Sequence, residues 1–167
     1  MNPTTLTLTG WENFFVASGG AAAALAGLLF VVVSINLTQI LKGPGFASRA
    51  GETFIPLAVT LIVSLLALVP AHPIKAFGSE LIGIGGTVWL ASSAIQIGAI
   101  RAHHYKRVWH MSFRLLVNQS ANLAVVIAGL SLVFGFPGGL YWLAPGFIMA
   151  FTGGMANAWI LLVEILR

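Results

Sequence analysis

Three of the chain's four histidines, His103, His104 and His110, fall within RAHHYKRVWH at 101–110, beside Tyr105, Trp109 and the cations Arg101, Lys106 and Arg107. Arg114 follows just downstream. Imidazoles can ligate a metal or a haem, cations interleaved with aromatic rings can hold nucleic acid, and the same groups suit a layer of anionic lipid headgroups. A metal site needs three or four converging donors. His103 and His110 can share a helical face with Arg107, but no carboxylate lies near them. Two-histidine haem ligation inside a helical bundle needs His within apolar segments, whereas His72, His103, His104 and His110 all fall at segment boundaries. Arg101, Lys106, Arg107 and Arg114 are therefore read as contacts to anionic lipid, each worth about 1 kcal/mol near a charged surface. A partner-binding or pH-sensing role for the histidines is the alternative.

Other chemistries are closed off by composition. The chain has no Cys and no Asp, which excludes disulfides, thiolate nucleophiles, Cys-ligated metal and aspartyl proteolysis. No HExxH, P-loop or GxGxxG pattern occurs. A Ser and His pair at membrane depth fails because the His lie at boundaries. The expectation is a protein that is not an enzyme, with no cofactor and no catalytic or metal-binding residues.

The elements that carry these residues follow from hydropathy. The chain is 58% hydrophobic and 7% charged, with mean hydropathy +0.96, against about a quarter charged in soluble domains. The pI of 10.2 comes with a net charge of only +4, spread between apolar blocks, and does not imply nucleic acid. A spanning helix needs about 20 mostly apolar residues. Stretches at about 13–40, 53–71, 80–100, 114–134 and 140–165 qualify. The first is read as a span and not as a removed signal peptide. The expected fold is all-α, a single transmembrane domain over 1–167 built as a five-span helical bundle with short loops. It becomes four spans if the last two runs merge, but Gly135, Pro137, Gly138 and Gly139 interrupt them.

With the 101–113 loop in the cytoplasm, Lys42, Arg49, Arg101, Lys106, Arg107, Arg114 and Arg167 lie inside and only Lys75 lies outside. That bias sets the N-terminus outside and the C-terminus inside, consistent with an odd number of spans. Trp11, Tyr141 and Trp142 then mark the outer boundary, and Tyr105 and Trp109 the inner one. An odd count does not divide into two inverted halves, which argues against a transporter built from such repeats.

In lipid, helices associate through small residues and through polar groups that would otherwise lack partners. Stripes of this kind fall at Gly20, Ala24, Gly27, Ser34 and Thr38; at Thr53, Thr60 and Ser64; at Gly85, Ser92 and Gln96; at Asn118, Asn122 and Gly129; and at Gly146, Ala150, Gly153, Asn157 and Glu164. Gly20, Ala24, Gly27, Gly146 and Gly153 are the expected packing positions. Under the orientation above, Asn36, Gln39, Glu52, Gln96, Asn118, Gln119, Asn122, Asn157 and Glu164 all fall in the cytoplasmic half. They form either a mutually bonded network or a wet vestibule, since an unpaired amide in hydrocarbon costs several kcal/mol. Glu164 can pair with Arg167, and Glu52 suits a helix start before Pro56. Each is alternatively a proton or cation ligand of the vestibule.

WENFFVASGGAAAALAGLLFVVVSINLTQIL, followed by RAGETF and LIVSLLALVP and by the terminal NAWILLVEILR, resembles a family of small multi-spanning bacterial membrane proteins. Some of its members are labelled as modulators of a membrane-bound AAA protease. The resemblance implies a bacterial cytoplasmic (inner) membrane location and supplies no functional residues. Two functions fit: an accessory or regulatory subunit that docks through its Gly and Ala seams on itself or on a larger membrane complex, and a homo-oligomeric channel or small-solute conduit. The expected partners are the lipid bilayer with its anionic headgroups and either further copies or a membrane complex, without nucleic acid.

Overall fold

The structure, a computed structural model, describes the backbone at residues 8, 10–42, 46–102 and 108–165, and side chains at 8, 10–38, 40, 51, 53–94, 97 and 119–159. Its elements are α1 (Glu12–Ile35), α2 (Leu37–Lys42), α3 (Phe46–Ala67), α4 (Ile74–Ala102), α5 (Val108–Phe134), a 3-10 turn (Gly139–Trp142) and α6 (Leu143–Ile165). Among the described residues the fold is all-helical, with five long helices and the short α2. By length and composition α1 can cross a membrane, and Thr53–Ala67 and Gln119–Phe134 are shorter apolar helical stretches.

Helix ends depart from the ends of the apolar runs for local reasons. Pro73 sits immediately before α4 and its carbonyl takes the Phe77 N–H at 3.0 Å, so the helix begins six residues before the expected 80. At its other end α4 continues to Ala102 and α5 starts at Val108, so much of the expected 101–113 loop is helical. Arg, His and Trp are acceptable helix residues, so a helix can continue past the end of an apolar run. Pro56 lies inside α3, ten residues past its start, and does not begin it. The α1 helix stops at Asn36, whose backbone N–H and side-chain Nδ2 both donate to the Val32 carbonyl, at 3.2 and 3.0 Å.

The break between α5 and α6 is built by glycine. Gly135, Gly138 and Gly139 have φ of 73°, 104° and 46°, in the left-handed region that glycine enters without a Cβ penalty. Ser131 holds the turn closed: its Oγ donates to the Phe136 carbonyl at 2.7 Å and accepts the Gly139 N–H at 2.9 Å. The two last apolar runs are therefore separate helices.

Neighbouring helices in sequence pack as α4 on α5 and α5 on α6, while α3 lies against α1 and α6. The tightest approach is between α4 and α5. A Cβ built on Gly129 would stand 2.7 Å from the Gly78 carbonyl oxygen, and one on Gly85 would stand 2.9 Å from Val126. One end of the bundle is aromatic, where Trp11 meets Tyr141 edge-on at 4.8 Å, Phe14 stacks on Phe147 at 5.7 Å and Phe15 meets Phe77 at 6.3 Å. Val63, Leu81, Ala128, Leu132 and Leu143 are buried with Phe15, Phe77 and Phe147 in one apolar cluster.

Gly129→Ala is expected to destabilise the bundle by about 1–3 kcal/mol, the usual range for overpacking, whereas Gly86→Ala, whose Cβ would meet nothing within 4 Å, leaves stability unchanged or raised. Unfolding of both variants in detergent by circular dichroism checks this.

Candidate functional site

Several described members of the small-residue stripes anticipated on α3, α4, α5 and α6 are buried. Thr53, Thr60 and Ser64 are buried on α3, Gly85 and Ser92 on α4, Asn122 and Gly129 on α5, and Gly146 and Ala150 on α6. Gly146 lies so close to α5 that a Cβ there would stand 2.9 Å from Ala124. Further along α6, Gly154 is buried facing Leu57, while its neighbour Gly153 is half-buried.

The α1 stripe behaves differently: it takes no part in packing within the bundle. Gly20, Ala24 and Gly27 are exposed, and a Cβ on Gly20 or Gly27 would meet nothing within 4 Å. The packed face of α1 is Phe15, Ser18, Gly19, Ala22 and Leu29. Gly19 is what lets α1 approach α3, since a Cβ there would sit 3.2 Å from Ser64 Cβ. Phe15 and Leu29 then seat on this face, which the small stripe has no bulk to match.

Of the anticipated polar residues, the structure brings Gln119 and Asn122 into the half of the α4–α5 interface away from the aromatic end. Gln119 Nε2 donates to Ser93 Oγ at 2.9 Å, and Ser93 in turn donates to the Trp89 carbonyl at 2.7 Å. Asn122 is 1% exposed, and Ser92 is buried beside Ser93. Asn122 Nδ2 and Ser92 Oγ have no hydrogen-bond partner among the described residues. Asn36 is buried but spent on its own helix end, and Asn157 is half-buried on α6. The side chains of Gln39, Glu52, Gln96, Asn118 and Glu164 lie outside the described residues, as do those of Arg101, Lys106, Arg107 and Arg114 and of His103, His104 and His110.

This seam offers amides and hydroxyls. Its described side chains, Ser92, Ser93, Gln119 and Asn122, carry no group that ionises near neutral pH, so they can hold water or a dipole but cannot move a proton as an acid or base. Ser93 is the residue that reading the sequence left out. Its only signal was its position next to Ser92 and one turn after Trp89. A second polar feature, His72 with Glu80, sits at the aromatic end, where the histidine is in the turn between α3 and α4.

No family model matches the chain, and comparison with curated proteins and with solved structures finds no match.

Replacing Gln119 with Leu is expected to cost about 0.6 kcal/mol, the mean for a hydrogen bond between membrane helices, and at most about 1.7 kcal/mol. Asn122→Leu, which removes an amide nitrogen that lacks a partner at nearly constant volume, is expected to be neutral or stabilising. Parallel detergent or urea unfolding of the two variants measures the difference; a larger loss for Asn122→Leu means that its amide is engaged.

Proposed function

We propose that the chain is a five-span membrane protein, without enzymatic activity, that serves as an accessory or regulatory subunit and docks through the outward face of α1. The observation that carries this reading is that face itself. Gly20, Ala24 and Gly27 form a smooth groove on a helix most of whose apolar residues point out of the bundle, with Phe30 68% and Ile35 78% exposed. In a soluble protein such a surface would be a liability to aggregation; in hydrocarbon it is the ordinary exterior, and small residues on it admit a partner helix closely.

The rest of the exterior fits immersion in lipid. Large apolar side chains are exposed on every long helix, among them Ile62, Leu90, Leu130 and Trp159. The exposed hydroxyls of Ser79, Thr87 and Thr152 donate to carbonyls of their own helices, which removes the cost of an unsatisfied donor in hydrocarbon. The charge bias between loops orients the N-terminus outside and the C-terminus in the cytoplasm. The resemblance to bacterial proteins, some labelled as modulators of a membrane protease, points toward regulation in the inner membrane.

A homo-oligomeric conduit is the second reading, supported by the partnerless Asn122 Nδ2 and Ser92 Oγ. It requires a ring in which Gln96, Asn118, Asn122 or Glu164 line a wet axis.

Size determination in lipid nanodiscs distinguishes the two. The accessory reading expects association of the chain with a second copy or a membrane complex that Gly27→Leu abolishes while the bundle's own unfolding is unchanged. A symmetric ring whose assembly is indifferent to Gly27→Leu contradicts it. A reporter fused after Arg167 is expected in the cytoplasm.

A further inference from the structure

The turn between α3 and α4 carries a device that neither the polar seam nor the α1 face uses. His72 is almost buried, its side chain 10% exposed, between Pro70 and Pro73. Its Nδ1 lies 3.0 Å from the Leu66 carbonyl oxygen, in the last turn of α3. That carbonyl also takes the Val69 N–H at 3.2 Å, so the ring caps the C-terminus of the helix. On its other side, Nε2 lies 3.4 Å from Glu80 Oε1 on α4, and Phe77 meets the ring edge-on at 5.8 Å.

Both ring nitrogens thus face oxygen atoms. A carbonyl oxygen only accepts, so Nδ1 must carry hydrogen and donate. A neutral imidazole has one N–H, which leaves a lone pair on Nε2, 3.4 Å from an oxygen of the part-exposed Glu80 carboxylate. The two contacts hold together only if one more proton is present, either on Nε2, giving an imidazolium beside a carboxylate, or on Glu80, donating to Nε2. The turn that this proton ties down is strained, since Ala71 has φ of 55° without being glycine. The second carboxylate oxygen, Glu80 Oε2, is buried with no hydrogen-bond partner among the described residues. The other described titratable groups at this end are Glu12, which accepts the Gly10 N–H, exposed Lys75 on α4, and exposed Tyr141 against Trp11. Among the described residues none of these three contacts the ring.

We propose that His72 and Glu80 form a proton-operated clamp on the α3–α4 turn: one proton taken from water closes it, and return of that proton to water opens it. The closed form holds one proton more than the open form with a neutral ring, so closure is favoured as pH falls and lost as pH rises. This holds whether or not α1 docks a partner.

Hydrogen exchange of the full chain in nanodiscs tests it, read by mass spectrometry on a peptide covering 66–80 at a mildly acidic and a mildly alkaline pH, about 5.5 and about 8.5. After correction for the intrinsic pH dependence of exchange, the wild-type turn is expected to exchange several-fold faster at the higher pH. Glu80→Gln supplies an amide N–H that donates to a neutral ring, so its turn is expected to stay protected at both pH values. His72→Phe is expected to be fast at both, with α5 protection reporting that each variant is folded. Equal wild-type protection at the two pH values, or an undiminished pH response in Glu80→Gln, overturns the clamp.

Discussion

Backbone contact between α4 and α5 is the constraint on which the rest of the bundle depends. In the bilayer proposed above a buried Leu gains nothing over a lipid-facing one, so apolar packing alone does not choose which helices touch. Close approach does choose, because dispersion contacts and interhelical hydrogen bonds fall away with distance. Gly78 and Gly129 bring the two backbones to a separation at which no side chain fits, and Gly85 repeats the contact one heptad along. That separation places Gln119 within reach of Ser93 further along the same interface. The α6 helix then closes on α5 through Gly146, and α1 on α3 through Gly19.

The two ends of the bundle are held by different chemistry. At one end edge-on and stacked rings of Trp11, Phe14, Phe15, Phe77, Tyr141 and Phe147 fill the space between helices, and the Ser131 hydroxyl and three left-handed glycines turn the chain sharply enough to keep α6 against α5. Away from it, rings give way to Ser92, Ser93, Gln119 and Asn122. A rigid aromatic end and a polar opposite half give the molecule a direction.

Much of this was legible in the sequence, and the exceptions have physical causes. Five apolar runs correspond to five long helices, since apolar runs of that length bounded by Gly, Pro or charge exceed the length of ordinary strands. On α3 to α5 the described members of the stripes are buried, and on α6 Gly146 and Ala150 are, as small or polar residues at helical spacing against larger neighbours would be. On α1 the same rule could not choose, since Ala17 through Ala24 are all small and every face of that segment qualifies. The choice was made by Phe15 and Leu29, which bring the face of Gly19 and Ala22 inward and leave Gly20, Ala24 and Gly27 outside. His72 and Glu80 are eight apart and separated by a helix start, so no helical or strand period relates them. Only the path of the turn makes them neighbours.

Immersion of all five long helices is tested most directly by spin labels placed singly at Phe30, Ile62, Leu90, Leu130 and Ile148, one exposed position on each of α1, α3, α4, α5 and α6. In liposomes, collision with dissolved oxygen is expected to dominate over collision with a water-soluble nickel chelate at every site. A site on any of these helices that the chelate reaches as readily as oxygen contradicts the five-span arrangement.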